Sequence, residues 1–225
     1  MSMIVVNVGK VIDASLREGE TREKIVNKLY ATARDWILRD FSWYKQHNEV
    51  QDDLSFNEFQ LKLKADALFK LAHQPKYVNC LRKHFAGYLG EIAVHYLLGE
   101  DWRLVFKFND VNVREHQADG YFGGMPQISY NVKTRLKNEW GLTAGTRYRL
   151  QEGFYVLAHY RAGFIRLVGY ASRDELERHP RSKFGNYDMP REELHPIEYF
   201  TRSRVFDGLK AWCGRRWNDV SKLLP

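Results

Sequence analysis

The hydrophobic period of this chain changes in its middle third, and that change limits what it can fold into. From Thr21 to Leu98 apolar residues recur every three to four positions; in the middle third they alternate. From Thr21 onward, Ile25, Leu29, Ala33 and Trp36 form one helical stripe. Ser55 with Glu58 three residues later is a capping-box pattern, and Phe56, Phe59, Leu63, Ala67 and Leu71 predict a second helix behind it. Pro75 separates this from a third helix over about Tyr77 to Leu98, which Gly99 stops. Then Ile128, Tyr130 and Val132 alternate with Gln127, Ser129, Asn131 and Lys133, the period of a strand with one buried face. Trp102 to Phe108 and Ala118 to Phe122 read as strands. So do Phe154 to Tyr160 and Phe164 to Tyr170, a pair joined by Arg161-Ala162-Gly163. Ser172 with Glu175 caps a short helix, residues 179–193 read as a loop, and Arg204 to Leu224 as a terminal helix. Helices followed by strands predict an α/β chain. The aromatic side chains of the first helix (Tyr30, Trp36, Phe41, Trp43, Tyr44) read as core or interface.

At 225 residues, 44% hydrophobic and 28% charged, the chain is of the globular class and long enough to bury a substantial core. A net charge of +7 favours anionic partners. Cys80 and Cys213 stand without CxxC or ligand spacing, which fits a reduced intracellular protein. No stretch approaches the roughly 20 apolar residues of a membrane span, and Met1 to Gly9 has no signal-peptide core, so the expected location is cytoplasmic, without membrane contact.

Chemistry concentrates between Gly90 and Arg135. Glu91 lies in an apolar helical run, with Ile92, Val94, Leu97 and Leu98 around it. A carboxylate buried there wants a partner, and His95, one turn on, is the expected hydrogen-bonding neighbour. Asp119 precedes Gly120 at the start of a short strand, and Asn131-Val132-Lys133 follows on the next. Alternation puts Asn131 and Lys133 on one strand face and Val132 on the other. Asp119 joins the Asn131/Lys133 face only if the connection is odd in length or bulged. A three-residue turn Gly123-Gly124-Met125 would pair it with Ser129. Two carboxylates and a lysine so placed can hold Mg²⁺ or Mn²⁺ against a phosphodiester. In that arrangement Glu91, Asp119, Asn131 and the Val132 carbonyl are the metal-ligand candidates. Lys133 would orient or help deprotonate the attacking water.

This order of residues resembles the PD-(D/E)XK nuclease superfamily, over roughly positions 85–170. In that family a helical Glu precedes an Asp, and a hairpin leads to (D/E)-X-K; here Glu91, Asp119 and Asn131-Val132-Lys133 follow that order, with Asn131 in place of the usual acid. The resemblance implies a restriction-endonuclease-like mixed sheet flanked by helices. It divides the chain into a helical elaboration over 1–75, a catalytic core over 76–200 and a helical segment over 201–225. The implied activity is Mg²⁺- or Mn²⁺-dependent hydrolysis of DNA, with RNA as a less frequent substrate. Asn131 brings an amide oxygen without charge, so a degenerate module that binds nucleic acid without cutting is the alternative. A protein-interaction domain built on the aromatic helices is a third reading.

Beyond the strand, Thr134, Arg135, Lys137, Arg147 and Arg149 form a basic loop opposed by the single acid Glu139, suited to phosphates flanking the cut. A second basic group spans Arg202 to Arg216. A homodimer would suit cleavage of both strands.

Overall fold

The alternating segments meet in a mixed sheet whose two faces carry separate apolar clusters. The computed structural model describes residues 3–39, 75–110, 118–121, 129–136, 141–144, 153–182 and 185–200. In chain order the elements are β1 (Ile4–Asn7), α1 (Val8–Asp13), α2 (Arg22–Arg39), α3 (Pro75–Leu97), α4 (Leu104–Phe108), β2 (Gly120–Tyr121) and β3 (Ser129–Arg135). There follow β4 (Leu142–Ala144), β5 (Gly153–Arg161), β6 (Phe164–Ser172), α5 (Arg173–Arg178), β7 (Tyr187–Met189) and β8 (His195–Pro196). The strand order is β1-β6-β5-β3-β2, with β8 also beside β6; β3 and β5 run parallel and the other pairs antiparallel. The chain is therefore α/β, with a mixed sheet flanked by helices.

Helix α2 follows its predicted stripe: Ile25, Leu29 and Ala33 are buried, and the Thr21 hydroxyl accepts the Lys24 N–H at the start. Helix α3 begins two residues earlier than expected. Pro75 opens it, a position where a missing N–H costs nothing. Its end is a Schellman cap: Gly99, at φ +70°, donates to Tyr96 O and Glu100 donates to His95 O.

The first face of the sheet packs against α3, and α2 packs on α3 in turn. Tyr130 and Val132 of β3, Val156 and Ala158 of β5, and Ile165 and Leu167 of β6 share one cluster with Ile92 and Ala93 of α3. The second face buries Tyr155, Leu157, Val168 and Ala171 under Leu142, Ala144, Leu176 and Met189. A bulge reconciles these assignments on β6. Leu157 pairs with Gly169 but Ala158 with Leu167, so Val168 is the extra residue and the faces exchange there.

Four readings needed correction. Residues 102–108 form a turn and helix α4, where a strand was expected. Asp101 initiates it by accepting the Arg103 N–H on its side chain and the Leu104 N–H on its carbonyl. The stretch 179–193 includes a strand, since β7 pairs with β4 in a two-stranded ribbon. The segment 1–75, expected to be helical, opens with a strand: β1 lines the outer edge of β6. Finally, β5 and β6 meet in a two-residue turn, Ala162-Gly163, both at positive φ, with Arg161 paired to Phe164. The capping box of Ser172 and Glu175 on α5 formed as expected. The helices expected over 55–71 and 204–224 lie outside the described residues, as do residues 40–74 and 201–225 as a whole. No helix among the described residues is long and apolar enough to cross a membrane.

Helix α3 approaches β3 most closely at Gly90. A Cβ there would collide with Thr134 Oγ1 and stand 3.3 Å from Val132 Cγ1. Gly90→Ala should therefore lower stability by about 1–3 kcal/mol through overpacking. The measurement is the chemical denaturation midpoint, and Thr134→Ala in the same chain should recover much of the loss. A midpoint unmoved by Gly90→Ala would mean that the helix does not press on the strand at this point.

Candidate active site

Helix α3 carries Glu91 into the interior at 5% exposure. Its Oε2 accepts a 2.6 Å hydrogen bond from Asn109 Nδ2, not from His95. Asn109 follows the last turn of α4 and is held from two sides: its Nδ2 also reaches Val105 O, and Trp36 Nε1 of α2 donates to its carbonyl at 2.8 Å. Three helices thus fix the orientation of one carboxylate.

His95 has other partners. Its Nδ1 lies 2.9 Å from Glu100 Oε2 and 2.9 Å from the Tyr130 hydroxyl, which itself donates to Glu100 Oε2 at 2.9 Å. With two donors required around one carboxylate oxygen, the hydrogen belongs on Nδ1. That leaves Nε2 buried without a partner among the described residues. The expected Glu91–His95 bond is replaced because the Schellman turn returns Glu100 to the end of α3.

Asp119 stands where β2 leaves β3. Gly120 is opposite Tyr130 and Tyr121 opposite Ser129, two residues away from the register that a three-residue turn would set. The parity is the required one, and the odd-length connection runs over 122–128. At Asp119 the ladder breaks: its N–H goes to Tyr130 O at 3.0 Å, and its Oδ2 accepts the Val132 N–H at 2.6 Å. The carboxylate takes the place of a strand partner at the open edge of β3. Asn131 and Lys133 flank that amide in sequence and leave β3 on the second face, while the Val132 side chain is buried under α3.

Glu91 and Asp119 are close enough to perturb each other. Burial is the largest influence on Glu91 and raises its pKa well above the usual carboxylate range. The Asp119 charge adds to the rise, while Asn109 and the Lys133 charge oppose it. Burial also raises Asp119, against the pull of Lys133, the Val132 N–H and His95. One oxygen of each carboxylate, Glu91 Oε1 and Asp119 Oδ1, has no hydrogen bond among the described residues. Lys133 makes no ion pair within 4 Å among them; its Nζ lies 5.9 Å from the Tyr155 ring centroid. Nor do three or more His, Cys, Asp or Glu side chains converge as metal ligands among the described residues. The cluster has two carboxylates, as expected from Asn131.

Three residues join the site that were not singled out in the sequence. Asn109 is one, marked there only by a polar pair ending the run Leu104 to Phe108. Glu100 is another, hidden as the residue after a stop glycine. The third is Tyr88, one turn before Glu91, whose buried hydroxyl has no partner among the described residues. Burial, then the charges of Glu91, Asp119 and Asp35, push its phenol up. The basic set divides. Thr134 lies on the α3 face with its hydroxyl sealed over Gly90, away from any phosphate on the Lys133 face. Arg135 is half-buried; burial lowers its pKa and Asp188 opposes that. Lys137, Arg147 and Arg149 lie outside the described residues.

The raised carboxylates predict a pH dependence. A folded state that binds more protons than the unfolded one loses stability as pH rises above about 4, the unfolded carboxylate value. Glu91→Gln keeps an oxygen for Asn109 and removes the charge. It should raise the thermal midpoint at pH 8, by roughly 2–4 °C for each kcal/mol of relieved repulsion and desolvation, with the gain vanishing near pH 4. A midpoint lowered equally at both pH values would mean that the carboxylate is not strained. Compared with protein-family models, curated proteins and solved structures, the chain finds no match.

Proposed function

We propose that the protein is a divalent-metal-dependent endonuclease of the PD-(D/E)XK type, hydrolysing phosphodiester bonds of DNA. The observation that carries this reading is the pair Glu91 and Asp119. Glu91 is buried and Asp119 half-buried, their charges repel, and each has an oxygen without a hydrogen bond among the described residues. A divalent cation between them would replace repulsion with attraction, whereas a purely structural pair would sit more stably with a basic partner in hydrogen-bond contact. The order helical Glu, Asp and then Asn-Val-Lys on adjoining strands supports the family assignment and the restriction-endonuclease-like form of the sheet.

Glu91, Asp119 and the Asn131 side-chain oxygen would hold Mg²⁺ or Mn²⁺, with the Val132 carbonyl as a further donor. Bound there, the cation supplies charge for the nonbridging phosphate oxygens and acidifies a water. The chain's own groups do the rest. Asn109 keeps the Glu91 carboxylate aimed, and the Val132 amide does the same for Asp119. Lys133, without a competing ion pair among the described residues, orients the attacking water or steadies the phosphorane charge. Asn131 contributes geometry without charge, so the site holds its cation less tightly than one with a third acid would. That same residue favours a second reading, a degenerate module that binds nucleic acid without cutting.

The decisive assay incubates supercoiled and linear plasmid with Mg²⁺, Mn²⁺ or EDTA. The expected result is metal-dependent nicking or cutting, reduced by about 10²-fold or more in Asp119→Ala and in Lys133→Ala. Asn131→Asp should lower the metal concentration needed for half-maximal cutting. Binding that persists in EDTA without any cleavage would replace the nuclease with the degenerate module.

A further inference from the structure

Packing alone does not account for the phenol that α3 brings to the carboxylates. Tyr88 is 3% exposed and stands three residues before Glu91, so the two side chains occupy the same side of the helix. Helical side chains lean toward the N-terminus, which carries the Glu91 carboxylate back over the turn where Tyr88 begins. The Tyr88 ring belongs to the apolar cluster of the first sheet face, a role that a phenylalanine would fill as well. Its hydroxyl is sealed from solvent and has no hydrogen-bond partner among the described residues. Yet the phenol feels the charges of Glu91 and Asp119, and of Asp35 on α2, each adding to the rise that burial causes. Trp36, next to Asp35, is bonded to Asn109, so this part of α2 closes over the same cluster.

The Tyr88 hydroxyl, Glu91 Oε1 and Asp119 Oδ1 are therefore a free donor and two free acceptors among the described residues. Groups gathered in this way without bonding one another call for something between them. A water ligand of a divalent cation meets that requirement. Mg²⁺ keeps several waters when it binds one or two carboxylates, and each water has hydrogens to give to an oxygen that can accept. We propose that Tyr88 is a positioning residue of the cation site, its hydroxyl oxygen accepting a hydrogen bond from a water ligand of the cation that Glu91 and Asp119 hold. The proposal rests on the cation reading of that pair and not on cleavage. Partners of this outer kind set the affinity for the metal as well as the orientation of its ligands.

The test is thermal unfolding of the wild type and Tyr88→Phe, in EDTA and across a Mn²⁺ titration. In EDTA the variant should unfold at the wild-type midpoint or above it, because a buried hydroxyl without a partner contributes nothing to the fold. With Mn²⁺ it should need about 10-fold more cation for the half-maximal rise in midpoint. Near-ultraviolet difference spectra give a second readout: Mn²⁺ should perturb a tyrosine band of the wild type, and Tyr88→Phe should lack that change. Tyr96→Phe, at a position 57% exposed about two turns later on α3, should match the wild type throughout. An unchanged Mn²⁺ requirement in Tyr88→Phe overturns the proposal and leaves the cation site standing. A lower midpoint in EDTA with that requirement unmoved makes the hydroxyl structural and overturns it too. A wild type whose midpoint responds to neither Mn²⁺ nor Mg²⁺ removes the cation reading, and this proposal with it.

Discussion

Everything at the candidate site depends on how closely α3 lies against β3. The approach is possible because position 90 has no side chain, so that the helix backbone sits over Thr134 and Val132. The next residue on the helix is Glu91, and Val132 itself carries the N–H that donates to Asp119. A helix displaced outward by one methyl group would carry Glu91 away from that edge. The two carboxylates are therefore brought together by packing and against their own electrostatics: apolar burial across the first face outweighs a local repulsion.

That balance also explains the division of labour around the cluster. The groups that orient the carboxylates are neutral: the Asn109 amide and the Val132 N–H each satisfy one oxygen without cancelling charge. The histidine that looks suited to neutralise Glu91 is diverted to Glu100 and Tyr130. A salt bridge in its place would make a more stable protein and leave no repelling pair of carboxylates.

Periodicity made much of this legible. The stripe of α2, the stop at Gly99, the alternation of β3, the β5–β6 pair and the Ser172 capping box all arise from contacts within a few residues of one another. What stayed hidden depends on distant partners. Leu104 to Phe108 is apolar enough for a strand, but Asp101 and the hydrogen bond that Trp102 Nε1 donates to Ser15 Oγ commit it to a helical turn. Tyr187 to Met189 becomes a strand because β4 offers an edge, and nothing local in that charged stretch announces it. At the site itself, Glu91, Asp119 and Lys133 could be named from residue type and order. Asn109 could not, since its role follows from where α4 ends in space. Thr134 was assigned to phosphate on proximity in sequence, and strand alternation alone places it on the other face.

The pairing of β1 with β6 bears on how the chain reaches this state during synthesis. Ile4 to Asn7 emerges before the rest of the sheet, and its partner strand Phe164 to Leu167 is made some 160 residues later. At about 5–20 residues per second the first strand waits roughly 10–30 seconds with an unsatisfied edge. Closing so long a loop is entropically slow, which makes the β1–β6 pairing one of the more slowly formed contacts of the sheet. Val5, 57% exposed in the finished sheet, belongs to a strand that spends that interval as a bare β-forming edge and so needs shielding before the fold exists to provide it.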